Sequence, residues 1–122
     1  MVTAVTSLGR SGLFDWVIQR ASAVVLAAYT FFILGFLICT PEVTYEGWSE
    51  LFSHLWMRIF SFITLISIAA HGWIGLWAVV TDYVTERMMG SKALMLRAIT
   101  LAFYALVTIA YLVWGFEILW GF

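Results

Sequence analysis

Residues Leu55–Tyr83 read LWMRIFSFITLISIAAHGWIGLWAVVTDY. No charged side chain stands between Ile59 and Val80, and a helix needs about 20 apolar residues to cross a bilayer. A single ionisable group, His71, interrupts the run near its middle. Such a group is expensive at that depth, so it marks a candidate functional site. On a helical wheel Ser67, Gly75, Ala78 and Asp82 fall within about 40° of His71, a stripe of small residues ending in an acid. That relief suits a bulky flat group beside the imidazole, and it equally suits a closely packed neighbouring helix. The run closes on Asp82-Tyr83, about 18 Å along the helix axis from His71. One polar site is therefore expected near mid-membrane and a second at an interface.

The whole chain is composed for the same environment. Of its 122 residues 64% are hydrophobic and 11% charged, and its mean hydropathy is +1.02. A soluble domain carries about twice that charged share. Seven tryptophans suit the aromatic belts of membrane interfaces. At about 20 residues per crossing there is room for three spans. The expected fold class is all-α: a polytopic membrane protein with three transmembrane helices, forming one domain over residues 1–122. The lone cysteine, Cys39, excludes an intrachain disulfide and a cysteine metal site. With a net charge of −1 and no basic cluster, no nucleic-acid partner is expected.

Taken in order, the chain opens on a short arm, Met1 to Gly12, containing Arg10. The apolar run from Ala21 to Cys39 is too long for a signal-peptide core, so a retained first span is expected over roughly 17–39. Thr40-Pro41 stops it, because proline disfavours helix in the residue before it. Residues 42–55 are amphipathic: Glu42, Glu46 and Glu50 recur on one face, and Tyr45, Trp48, Phe52 and Leu55 on another. An interfacial segment is expected there, its acids solvated and its aromatics on the membrane. The second span covers roughly 57–81, a polar link runs from Thr85 to Lys92, and the third span covers roughly 95–119, with Glu117 near enough to its end to reach water. Arg10, Arg20, Arg87, Lys92 and Arg97 fall on one side of this topology and only Arg58 on the other. The positive-inside rule then places the N terminus and second loop on the cytoplasmic side, together with Arg20, Asp82 and Tyr83.

A histidine within a span can ligate haem iron, relay protons or hydrogen-bond a neighbouring helix. Proton relays use several titratable groups, and the second span has no other between Ile59 and Val80. A low-spin haem takes two axial ligands. The only other histidine, His54, is about 25 Å away along a continuous helix, so a second ligand would have to come from another chain. Arginines at span ends, such as Arg20, ordinarily reach for headgroups, although an anionic ligand group is an alternative partner. At the interface, Tyr83 can hydrogen-bond a quinone carbonyl, and Asp82 can tune or supply protons.

These residues carry a resemblance to a known family. Leu8-Gly9-Arg10-x-Gly12, Arg20-Ala21-Ser22-Ala23, Thr44-Tyr45-Glu46-x-Trp48 and, most specifically, His71-x-Trp73-Ile74-Gly75-x-Trp77 followed by Thr81-Asp82-Tyr83-Val84 resemble the hydrophobic membrane anchors of bacterial succinate dehydrogenase, the smaller of its two anchors. The resemblance spans essentially the whole chain. It implies a non-catalytic anchor subunit in the bacterial inner membrane, paired with a second anchor of the cytochrome b556 type. The pair would hold an iron–sulfur subunit and a flavoprotein subunit, which carry the iron–sulfur clusters and FAD. It implies His71 as an axial ligand of a haem b shared with the partner anchor, Arg20 near the haem propionates, and Tyr83 and Asp82 at the ubiquinone site. A fumarate reductase anchor using menaquinone and a cofactor-free membrane scaffold are the alternatives.

Overall fold

The computed structural model describes residues Gly12–Gly121, so the arm with Arg10 lies outside the described residues. Three long helices, α1 (Gly12–Cys39), α3 (Leu55–Tyr83) and α5 (Ala93–Phe116), are joined by short helical links, α2 (Tyr45–Ser53) and α4 (Glu86–Met89). Each of the three helical segments built on α1, α3 and α5 is long and apolar enough to cross a membrane. At 1.5 Å per residue α1 alone is about 42 Å long, longer than the hydrocarbon core.

The links follow from local chemistry. α1 stops at Cys39, just before Thr40-Pro41. Thr44 caps α2, its Oγ1 accepting the Gly47 N–H at 3.1 Å. The break to α3 falls on His54, whose extended backbone (φ −76°, ψ 135°) ends one helix and starts the next. Its ring stacks with Trp56 at 6.0 Å. Arg58 turns back from α3 and donates Nε to the Phe52 carbonyl at 3.0 Å, satisfying an acceptor that the end of α2 leaves free. The polar link after Tyr83 is more ordered than a loop. Thr85 caps α4, Gly90 reverses the chain at φ 71°, and a 3₁₀ turn (Gly90–Lys92) leads into α5. Arg97 donates Nε to the Val84 carbonyl at 2.6 Å and ties the start of α5 to the end of α3. A π turn, Glu117–Gly121, extends α5 at its far end.

α3 is the central element, packed by α1 on one flank and α5 on another. Its buried face mixes apolar residues, Met57, Ile74 and Val80, with polar ones. Ser61, Thr64 and Ser67 of α3 and Ser22 of α1 are buried, whereas Ile38, Phe31 and Leu94 are at least 72% exposed. Water would reject that distribution. A hydrocarbon solvent favours it, because apolar side chains lose nothing by facing lipid and polar ones need partners inside the protein.

The two seams are built differently. Along α1–α3, side chains bond side chains: the Tyr29 hydroxyl and Ser61 Oγ are 2.7 Å apart. Edge-on rings extend that seam, with Tyr29 on Phe60 at 4.9 Å and Phe32 on Trp56 at 5.7 Å. Along α3–α5, tyrosines reach backbone. Tyr104 donates to the Ala69 carbonyl at 2.9 Å and Tyr111 to the Leu65 carbonyl at 3.0 Å. Glycines permit the approach, since Gly72 faces the Tyr104 phenol and Gly115 faces the Leu65 side chain.

A methyl group added at Gly72 would occupy the space of the Tyr104 hydroxyl, and forcing extra atoms into a packed seam costs about 1–3 kcal/mol. Gly72→Ala is expected to lower the unfolding midpoint of the chain in detergent. Gly35→Ala, where the added carbon meets nothing within 4 Å, should leave it unchanged. Equal midpoints for the two variants would contradict the Gly72–Tyr104 contact.

Candidate functional site at the α1–α3 seam

His71 stands midway along α3, and its Nδ1 lies 3.0 Å from Ser22 Oγ of α1. Ser22 also donates to the Gln19 carbonyl at 3.1 Å. The imidazole is half-buried, and its Nε2 has no hydrogen-bond partner among the described residues. One nitrogen is thus held inside the seam and the other is left available.

The small-residue stripe around His71 is shared out by the fold. Ser67 is buried. At Gly75, an added carbon would meet the Gln19 amide nitrogen at 3.9 Å. The relief on this face is therefore used, at least in part, by the approach of α1. Gln19 Oε1 is itself buried with no hydrogen-bond partner among the described residues. Asp15, Gln19, Ser22 and Tyr29 share one face of α1, within about 60° of Ser22, and the first three are polar groups in or beside an apolar run. Their recurrence at four, three and seven residues is the one sequence signal of this polar face, and it is weaker than that of a histidine alone in a span.

Asp82 and Tyr83 form the last turn of α3, both exposed, Tyr83 by 63%. Neither side chain has a hydrogen-bond partner among the described residues. Arg20 is exposed on α1 with its guanidinium 5.2 Å from the centre of the Trp16 ring. It is two residues from Ser22 in sequence but about 160° away around the helix. The fold brings His71 and Ser22 together and puts Asp82 and Tyr83 side by side at one end. It directs Arg20 to the opposite face of α1 from His71. His54 sits at the other end of α3, beyond the start of the helix, so it and His71 cannot share a ligand within one chain.

Comparison with known proteins gives this arrangement a family. Residues 3–112 match the family described as succinate dehydrogenase/fumarate reductase transmembrane subunit, and the chain belongs to that family. Within it the likeness is to the succinate dehydrogenase side. The chain is 40% identical over 111 residues to the succinate dehydrogenase hydrophobic membrane anchor subunit of Coxiella burnetii (strain RSA 493 / Nine Mile phase I), covering 91% of this chain and 90% of that protein.

The spacing at Gly75 sets a size limit on the seam. Gly75→Ala is expected to be tolerated, because its carbon would stand at ordinary contact distance from Gln19. Gly75→Leu should separate α1 from α3 and lower the unfolding midpoint by the equivalent of about 1–3 kcal/mol. Thermal unfolding of the two variants in detergent checks this, and a wild-type midpoint for Gly75→Leu would refute it.

Proposed function

We propose that this membrane anchor of a succinate dehydrogenase supplies, through His71 Nε2, one axial ligand to a haem b iron, and that a second membrane anchor supplies the other. The observation that carries the reading is the state of His71: mid-span, Nδ1 held by Ser22, Nε2 without a partner among the described residues. The donor set suits haem better than a bare ion. Among the described residues no three His, Cys, Asp or Glu side chains come together, whereas a porphyrin brings its own four nitrogens and asks one protein ligand on each face. Bound there, a haem supplies one-electron transfer within the membrane. Arg20, about 3 Å along the axis of α1 from Ser22, is the cation proposed for the haem propionates.

Ubiquinone is the substrate proposed for the exposed end of α3. Tyr83 donates a hydrogen bond to a quinone carbonyl there, and the Asp82 carboxylate beside it handles protons at the interface. Electrons reach that site from iron–sulfur clusters, and succinate is oxidised at FAD, on an iron–sulfur subunit and a flavoprotein subunit that the two anchors hold at the cytoplasmic face. The charge distribution supports this orientation. Arg87, Lys92 and Arg97 all belong to the end of the bundle that contains Asp82 and Tyr83, and Arg58 to the other, whereas Arg20 lies nearer the level of the Ser22–His71 pair. The membrane proposed is the bacterial inner membrane, a reading that the bacterial relative supports.

Two measurements test the reading. The four-subunit complex isolated through this chain should show a b-type reduced-minus-oxidised spectrum, and His71→Ala should abolish it while the subunits remain together. An unchanged spectrum would remove His71 as a ligand. Tyr83→Phe should reduce quinone reduction about tenfold, the value of one lost hydrogen bond of about 1.4 kcal/mol, and spare succinate oxidation by a soluble acceptor. Parallel loss of both activities would show that Tyr83 supports assembly instead.

A further inference from the structure

We infer that Ser22 is a positioning residue for His71: its hydroxyl fixes the imidazole as the Nδ1–H tautomer, so that the lone pair stands on Nε2. The inference rests on the haem reading for its purpose, and on the hydrogen-bond geometry for its content.

A serine hydroxyl has one proton to donate and lone pairs to accept with. Ser22 Oγ has two neighbours, the Gln19 carbonyl oxygen at 3.1 Å and His71 Nδ1 at 3.0 Å. A carbonyl can only accept, so the bond to Gln19 uses the serine proton. Towards His71 the same oxygen then acts as acceptor. The hydrogen between Oγ and Nδ1 therefore belongs to the imidazole. A neutral imidazole has a single N–H, which leaves Nε2 with its lone pair.

The reverse arrangement, with Ser22 donating to Nδ1, would put the proton on Nε2 and close that nitrogen to iron. The Gln19 carbonyl disfavours this by competing for the serine proton. The result is a chain, Nδ1–H to Oγ–H to O=C, directed away from the ligating nitrogen. In a low-dielectric seam such chains polarise cooperatively. A hydrogen bond accepted from the far N–H also holds the ring in orientation and raises the basicity of the ligating nitrogen. A carboxylate would do this more strongly, but an unpaired charge at that depth is far more costly than a hydroxyl.

Two measurements on the protein as it exists test the inference, one independent of haem. In the haem-free full chain in detergent micelles, labelled with ¹⁵N-histidine, the His71 ring should show a protonated Nδ1 and an unprotonated Nε2. A protonated Nε2 would overturn the inference whatever binds there. In the assembled complex, transfer of haem to a scavenging apoprotein should be about 10–100-fold faster in Ser22→Ala, the usual effect of removing such a partner. The haem midpoint should also move to more positive potential. Ser22→Thr, which keeps a hydroxyl, should restore both. If His71→Ala loses the b-type spectrum while Ser22→Ala releases haem at the wild-type rate and potential, the haem reading stands and the inference about Ser22 fails. If His71→Ala keeps the spectrum, the haem reading fails and the nitrogen shifts alone decide the tautomer. If Ser22→Ala does not assemble, the Ser22→Thr complex and the wild-type spectrum decide it.

Discussion

Inside a bilayer a polar group cannot turn to water, and this governs how the three helices meet. Ser22 and His71 find each other across α1–α3, as do Tyr29 and Ser61 one side of the seam further on. Each such bond between transmembrane helices is worth about 0.6–2 kcal/mol. Their main effect is on specificity. Apolar stripes would let α1 slide or rotate against α3 at little cost, whereas two bonds at different depths admit one register. α3 is central because it alone presents hydroxyls and an imidazole to one side and accessible backbone carbonyls to another.

The same constraint explains why the candidate sites lie where they do. His71 uses one nitrogen to complete the seam and leaves the other on a half-buried ring, so the packing of α1 on α3 also sets the orientation of the imidazole. Asp82 and Tyr83, in the last turn of α3, have exposed side chains with no hydrogen-bond partner among the described residues. The short links contribute by satisfying helix ends: Arg58 on Phe52 and Arg97 on Val84 are both arginine-to-carbonyl bonds across a chain reversal.

Much of this was legible in the sequence, and the boundary is physical. The three long helices follow from apolar length, the stop after Cys39 from proline, and the amphipathic segment from its four-residue repeat of glutamates. Helical turns inside the polar link were not, because a single capped turn such as Thr85–Met89 has too few residues to show a period. His71 stands out because a titratable group in hydrocarbon needs a reason. Its partner does not: Ser22 is one of several small polar residues in α1, and only the crossing of two helices selects it. Tyr111 is one of many aromatics in the chain, and no sequence period marks the bond of its hydroxyl to the Leu65 carbonyl. Gly72, off the His71 stripe by about 100°, gives no sign in one dimension that a phenol from α5 will lie against it.

The tyrosine bonds of α5 have a mechanical consequence. Tyr104 and Tyr111, two turns apart on α5, hold the carbonyls of Ala69 and Leu65, one turn apart on α3. A single pin would still allow swivelling about itself, but two pins at different heights resist both swivel and axial slip. α3 and α5 therefore behave as one stiff two-ply strut. A push received at the Asp82–Tyr83 tip is carried along that strut past His71, while α1 is joined to it by side-chain bonds alone.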